Sequence, residues 1–316
     1  GSEMCIRDRA YASLALRVRH RLHARVADHL MQNLGDVAAT PWERIAHHLT
    51  QAGRPLQAAQ AWWSAAQVAL SQGAPREAEA HLRAGVAALA SHPEGEDKDQ
   101  ALLTLLSVLG PTTMVLMGPG AEPFGQIQQQ AHALCQRLSH LPGVAQRQFP
   151  ITYGLCLYHW GRAELSTAAA LAATLRQHAA EHVSPETHMA ACNMSGMVAF
   201  HQGDARAARD HLHAAVACHE PGRDAALYPI YLMDFGVFGR FYLALATWVS
   251  APSDEAGEVA SQAFALAEQL GQPHSLGFAM LANMIVACMR DDDRTALPWA
   301  ERCVAFARDM GFPCLL

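Results

Sequence analysis

The stretch AQAWWSAAQVALSQGAPREAEAHLRAGVAALASHP, residues 59–93, decides the fold. It holds two alanine-rich runs separated by Gln72-Gly73-Ala74-Pro75. Alanine is the strongest helix former. Glycine ends one helix readily, and proline opens the next at its first turn. The stretch therefore predicts two antiparallel helices joined by a tight turn. Two helices that cross closely need small residues at the contact and large ones beside it. Counting from Ala59, aromatic Trp62 is fourth, Ala66 eighth, Gly73 at the turn, Ala78 twentieth and Leu82 twenty-fourth. Trp62 and Trp63 are neighbours, so one is expected in the core and the other sealed against the preceding helix.

This spacing resembles the tetratricopeptide pattern, and copies follow. Residues 189–221, MAACNMSGMVAFHQGDARAARDHLHAAVACHEP, place Gly196 at the small position of the first helix. Gly203-Asp204 makes the turn, with Asp204 as helix cap, and Ala208, Leu212 and Ala215 follow. Weaker copies run from Tyr153-Gly154 to Ala168, from Ala244 to Ala256 across Pro252-Ser253-Asp254, and from Met284 to Ala296 across Asp291-Asp292-Asp293. The alanines at the twentieth position, Ala168, Ala208, Ala256 and Ala296, are spaced by 40, 48 and 40 residues. The standard repeat is about 34, so helices or loops are longer here. Between Ala78 and Ala168, residues 98–116 and 123–139 supply a further pair, linked by Met117-Gly118-Pro119-Gly120.

Upstream, residues 10–34 read as a long amphipathic helix with Leu14, Leu16, Val18, Leu22, Val26 and Leu30 as its apolar positions. Pro41 opens a short helix that ends at Gly53. Segment 219–233, HEPGRDAALYPIYLM, breaks the rhythm and reads as a long loop between repeats. No alternating strand pattern with a hairpin signal is present. The expected fold is all-α: a right-handed superhelical stack of antiparallel helix pairs, a tetratricopeptide-like α-solenoid of roughly fourteen helices. Its expected divisions are a tail at 1–9, linker helices at 10–53 and repeats at 54–316. The repeat pairs fall near 54–92, 95–140, 144–182, 184–219, 232–270 and 273–311.

Composition narrows the function. The 316 residues are 51% hydrophobic but only 7% aromatic, which favours alanine-rich helices over disorder. Net charge is −6, from 23 basic and 29 acidic residues, and Lys98 is the lone lysine. No basic run interleaved with aromatics supports nucleic-acid binding. No uninterrupted apolar run approaches membrane-spanning length. The expected location is the cytoplasm, where the eight scattered cysteines are free thiols rather than disulfides or zinc ligands. The start, SEMCIRDR within residues 1–9, resembles translated adapter sequence. The end, GFPCLL, stops on an apolar run. Both are expected of a fragment of a longer protein.

Several strings also resemble a known family in order and spacing. They are AHHLTQAG (46–53), AAQAWWSAAQVAL (58–70), AEAHLRAGVAAL (78–89), YGLCLYHWGRAELSTA (153–168), DFGVFGRFYLALATW (234–248), PHSLGFAMLANM (273–284) and AERCVAFARDMGFP (300–313). Together they are similar to the helical region that follows the ATPase module in bacterial adenylate/guanylate cyclase–ATPase fusion proteins and related signal-transduction ATPases of the STAND type. The resemblance implies a regulatory or partner-binding role and transfers no catalytic residue. Asp234-Phe235-Gly236 stands where that pattern usually has Asp-Pro-Gly.

Other chemical signals fail. Asp234-Phe235-Gly236 imitates a kinase magnesium motif without its companions, and reads as a helix start. Gly118, Gly120 and Gly125 are not followed by Gly-Lys-Ser/Thr. His47 and His48 diverge by about 100° on a helix, and His211 and His213, two positions apart, also diverge, so neither pair clamps a metal alone. No Gly-x-Ser-x-Gly is present, and Ser195-Gly196 reads as helix packing. No catalytic residue, cofactor or metal is expected. The expected partners are a protein or peptide, the upstream ATPase or cyclase domains of the same chain, or a small effector, but neither nucleic acid nor membrane. The repeat register places Tyr153, Leu157, Trp160, Asn193, Met197, Phe200, His201, Phe241, Leu245 and Trp248 on a binding groove. Two readings stay open: the regulatory scaffold of a cyclase or kinase fused to an ATPase, and the ligand-sensing region of an ATPase-containing transcriptional activator.

Overall fold

The computed structural model describes residues 15–32, 40–182 and 184–312. Fourteen helices of ten residues or more occur among them: α1 Leu16–Gln32, α2 Trp42–Gln51, α3 Pro55–Ser71, α4 Pro75–Ala88, α5 Glu96–Met117, α6 Glu122–Arg137, α7 Val144–Gly161, α8 Leu165–Glu181, α9 Pro185–His201, α10 Ala205–Cys218, α13 Phe235–Ser250, α14 Glu255–Leu270, α15 Pro273–Met289 and α16 Asp293–Met310. Two one-turn helices, α11 Pro221–Asp224 and α12 Tyr228–Tyr231, flank a 3₁₀ turn. No strand occurs among the described residues. The all-α, helix-paired fold is thus as read from the sequence. The chain divides after Leu109 into two compact units.

In the first unit, α1 packs on α2, α2 on α3 and α3 on α4. Ala27 of α1 joins Ile45, Ala46, Leu49, Ala58 and Ala61 in one apolar cluster. The apolar stripe expected on the first helix faces elsewhere. Leu16 is 59% exposed, and Val18, Leu22 and Val26 are also exposed; of the expected positions Leu30 does pack, beside Ala27 and Met31. Leu14 lies outside the described residues. The tryptophans also differ from expectation, since both are only half-buried. Trp62 itself reaches the preceding helix, donating Nε1–H to Thr50 Oγ1 at 3.1 Å and stacking on His81.

In the second unit, each helix packs on its partner across a tight turn. Gly73 in the first unit and Gly203 in the second close such turns at φ +72° and +87°, a backbone that side chains disfavour. Asp204, Asp234 and Asp292 cap α10, α13 and α16 by accepting from the amides of Ala207, Val237 and Thr295. The small positions let helices touch. Ala168, Ala208, Ala244 and Ala256 are fully buried. A Cβ on Gly196 would lie 2.4 Å from Leu212 Cγ. Each first helix also packs on the next first helix, α7 on α9, α9 on α13 and α13 on α15. These four therefore form one inner face.

Segment 219–233 is ordered rather than a loop. Arg223 bonds Asp224, Glu186 and the Cys218 carbonyl, and Asp224 is buried. The run Pro221–Tyr231 then meets α13 at 91°. This insertion accounts for the 48-residue spacing between Ala208 and Ala256. One helix is of membrane-spanning length. Helix α5 holds an 18-residue window of mean hydropathy 1.6, long and apolar enough to cross a bilayer. Gln100, Thr104 and Ser107 interrupt it and hide it from a search for unbroken apolar runs. That window is 56% buried, as in the core helix of a repeat stack.

Candidate functional site

The inner face of α7, α9 and α13 gathers aromatic rings from successive repeats. Trp160 at the end of α7 lies 5.2 Å from the His201 ring at the end of α9, and 6.4 Å from Tyr242 of α13. Phe200 lies 6.0 Å from Tyr242, and His201 Nε2 is 3.5 Å from the Tyr242 hydroxyl. Edge-to-face geometry prevails, which suits the ring quadrupoles. Contacts from α7 to α13 across the intervening α9 require the inner helices to lie close. The bare backbone of Gly239 gives that closeness between α9 and α13, since a Cβ there would lie 2.7 Å from Asn193 Oδ1.

The same closeness corrects the groove drawn from the repeat register. Tyr153, Leu157, Asn193, Met197, Phe241 and Leu245 are buried between helices and do not form an open wall. Tyr153 packs edge-on against Tyr231 and Phe235, and its hydroxyl meets Met233 Sδ at 3.9 Å. Burial raises its phenol well above the ordinary value. The ordered insertion, whose packing the sequence did not reveal, plugs this part of the face. Trp160, Phe200 and Trp248 are half-buried, and His201 is exposed. Tyr242 was missed. It follows Phe241 directly and is equally buried, but only Phe241 fitted the assumed register.

The open end of the cluster has a defined chemistry. Loss of solvent on one side lowers the His201 pKa, and burial raises the Tyr242 phenol. Near neutral pH the pair is an uncharged imidazole beside an uncharged hydroxyl. One donates and the other accepts, with Trp160 and Phe200 as apolar walls. The cluster thus combines apolar walls with an uncharged hydrogen-bonding pair.

A concavity of about 690 Å³ lies between α14, α15 and α16, lined by Asp254, Glu258, Asn283, Arg290, Asp292 and Trp299. Arg290 bonds Asp254 at 2.6 Å and lies 5.9 Å from the Trp248 ring. Asn283 donates to the carbonyls of Ala260 and Ala279, both at 2.9 Å.

The expected decoys acquire structural roles. Asp234 caps α13, lies 3.5 Å from buried His219, and donates its backbone N–H to Ser275 Oγ at 3.2 Å. It starts a helix and ties three elements together. Cys192 Sγ is 3.6 Å from His188 Nε2, but burial raises the thiol, opposite to an activated cysteine.

These features define a class, an all-helical tetratricopeptide-like array with an aromatic inner face. No family model matches the chain. It is 23% identical over 305 residues to an uncharacterized protein of Rhizobium meliloti (strain 1021), covering 96% of this chain and 29% of that one. The chain thus spans under a third of that relative's length. Among solved structures, the Rap conjugation gene regulator of plasmid pLS20, in complex with the Phr* peptide, superposes with a TM-score of 0.63 at 12% identity, covering 89% of this chain and 69% of that one. NprR in complex with its cognate peptide NprX gives 0.61 at 9% identity, covering 95% and 81%. At these identities the likeness establishes the fold.

Proposed function

We propose that the chain is a non-catalytic, ligand-sensing repeat region of a larger bacterial regulator, and that its ligand is a peptide or short protein segment. The observation that carries this reading is the half-open cluster of Trp160, Phe200, His201 and Tyr242, built from three successive inner helices. An aromatic surface with an uncharged hydrogen-bonding pair suits an apolar peptide side chain and its adjoining amide. Two proteins of the same fold are each described in complex with a peptide, which supports the choice.

Of the two parent architectures, the sensing region of an ATPase-containing transcriptional activator is the better supported, because one structural relative is a gene regulator. The cyclase or kinase fusion rests on the string resemblance alone. In either, residues 10–53 would link to an upstream module and 54–316 would form the repeats. Ligand would act by changing how the inner helices stack. A small effector or an upstream domain of the same chain is the other occupant the site would accept. The proposed location is the cytoplasm.

Peptide display against the purified chain, followed by fluorescence anisotropy, tests the reading. Trp160→Ala and His201→Ala are expected to weaken a selected peptide by about tenfold or more. Unchanged affinity in both variants, with helical content intact, would remove the inner face as the binding site. The flanking reading frame decides the parent. A helix-turn-helix domain supports the activator, whereas a cyclase or kinase domain supports the fusion.

A further inference from the structure

The first unit converges three metal-ligand side chains that the sequence keeps far apart. Glu43 lies in the first turn of α2, and Glu77 and His81 lie one turn apart on α4. One carboxylate oxygen from each glutamate and one imidazole nitrogen all lie within 4.8 Å of one another. His81 Nε2 is 3.5 Å from Glu77 Oε1. His81 is 8% exposed, and Trp62 stacks on its ring at 5.4 Å with an interplanar angle of 26°, which fixes the imidazole plane. Both glutamates are exposed. Among the described residues, no arginine or lysine ion pair reaches either carboxylate. Two like charges held this close repel, unless a cation lies between them.

We propose that Glu43, Glu77 and His81 form a binding site for a divalent transition-metal ion, zinc first among them. One imidazole nitrogen with two carboxylate oxygens suits an ion of intermediate softness. Calcium asks for six to eight oxygens, and magnesium retains most of its water. Zinc bonds of about 2.0–2.2 Å place neighbouring ligand atoms about 3–3.5 Å apart, so modest rotation of the two glutamates closes the site. Water completes the shell. The ion ties α2 to α4 across the intervening α3, so its effect is to stabilise this unit. Spacing rules missed it because Glu43 and Glu77 are separated by 34 positions.

The same unit offers one rival. His23 Nδ1 lies 2.7 Å from His48 Nδ1, with the His47 ring 6.1 Å from that of His23. The test must separate the two clusters. The full chain, free of any affinity tag and stripped of metal, is titrated with zinc chloride against a chromogenic chelator. Magnesium and calcium chloride are run in parallel, and thermal unfolding is followed by circular dichroism. One equivalent of zinc is expected to bind and raise the Tm, with neither magnesium nor calcium doing so. Glu43→Gln and Glu77→Gln should each weaken zinc by about tenfold or more while leaving helical content unchanged. His23→Ala should bind as the parent does. The proposal is overturned if zinc does not bind, if both glutamine variants bind it unchanged, if the loss appears in His23→Ala instead, or if magnesium and calcium bind equally well.

Discussion

Gly239 of α13 lies directly beneath the Asn193 side chain of α9, so that a methyl group at 239 would sit 2.7 Å from Asn193 Oδ1. Asn193 is wholly buried. Its amide nitrogen donates to the Phe235 carbonyl at 3.2 Å and the Met189 carbonyl at 3.3 Å. Its Oδ1 meets no hydrogen-bond donor among the described residues and rests on bare helix backbone. One amide thus bolts consecutive inner helices together. Gly239→Ala must displace it, at an expected cost of about 1–3 kcal/mol, as for an overpacked core. Urea unfolding measures this. Because the two residues touch, the double variant Gly239→Ala/Asn193→Ala should lose less than the sum of the single losses. Strict additivity would show that the contact carries no energy.

A tighter approach joins the α5–α6 turn to the end of α7. A Cβ on Gly120 would lie 2.6 Å from the Gly161 carbonyl oxygen, and one on Gly161 would lie 2.5 Å from the Gly120 nitrogen. Here backbone meets backbone, and no rotamer relieves the clash. Gly161→Ala is therefore expected to cost more than Gly239→Ala, upward of about 3 kcal/mol. Gly222→Ala, with open space around its Cβ, should be close to neutral in the same assay.

The cysteines should separate by reactivity. Cys156 is fully buried, its Sγ donates to the Ala168 carbonyl at 3.1 Å, and burial pushes its pKa up to about 12. Cys288 is exposed. At pH 8 roughly one Cys156 thiol in ten thousand is ionised, and the thiolate is the reactive form. Alkylation of the native chain followed by peptide mapping should label Cys288 early and Cys156 only after denaturant is added. Early labelling of Cys156 would mean that the α7–α8 pair opens readily.

The helix-paired architecture was legible because alanine, glycine and proline act locally. Gly203 closes a turn and Asp204 caps a helix through atoms a few residues away. The inner face was less legible because its geometry is set between repeats. The register gave Trp160, Phe200 and His201, but only the observed packing of α9 on α13 reveals that Tyr242, buried like Phe241, reaches His201 with its hydroxyl. Likewise Pro221, Gly222 and Pro229 signal a break in rhythm. Nothing local to them announces that Tyr231 and Met233 will fold back on Tyr153. Gly120 read as a turn glycine and Gly125 as part of a helix, yet each is small to admit a distant neighbour, Gly161 and Tyr158 respectively.

Acid should unfold this protein partly through one residue. His274 of α15 is enclosed by Phe278 and Phe312, with ring centroids at 5.0 and 5.8 Å. Burial lowers its pKa from 6.5 to about 4, against the opposing pull of a hydrogen bond to the Leu232 backbone. The folded chain therefore holds His274 neutral where the unfolded chain would protonate it. Its contribution is fully present above about pH 6.5 and is lost as pH falls through about 4. Protonation in the unfolded state then favours unfolding by about 3 kcal/mol at the acid end of that window. Urea midpoints measured from pH 7.5 to 4 should fall steeply in the parent chain. In His274→Phe the pH dependence should be shallower, although stability at pH 7.5 is lower because the Leu232 carbonyl loses its partner. His178 and His201, whose pKa values are also lowered by burial, titrate in both proteins and cancel in the comparison. Parallel profiles for the two proteins would show that His274 gains a proton in the folded state as easily as in the unfolded one.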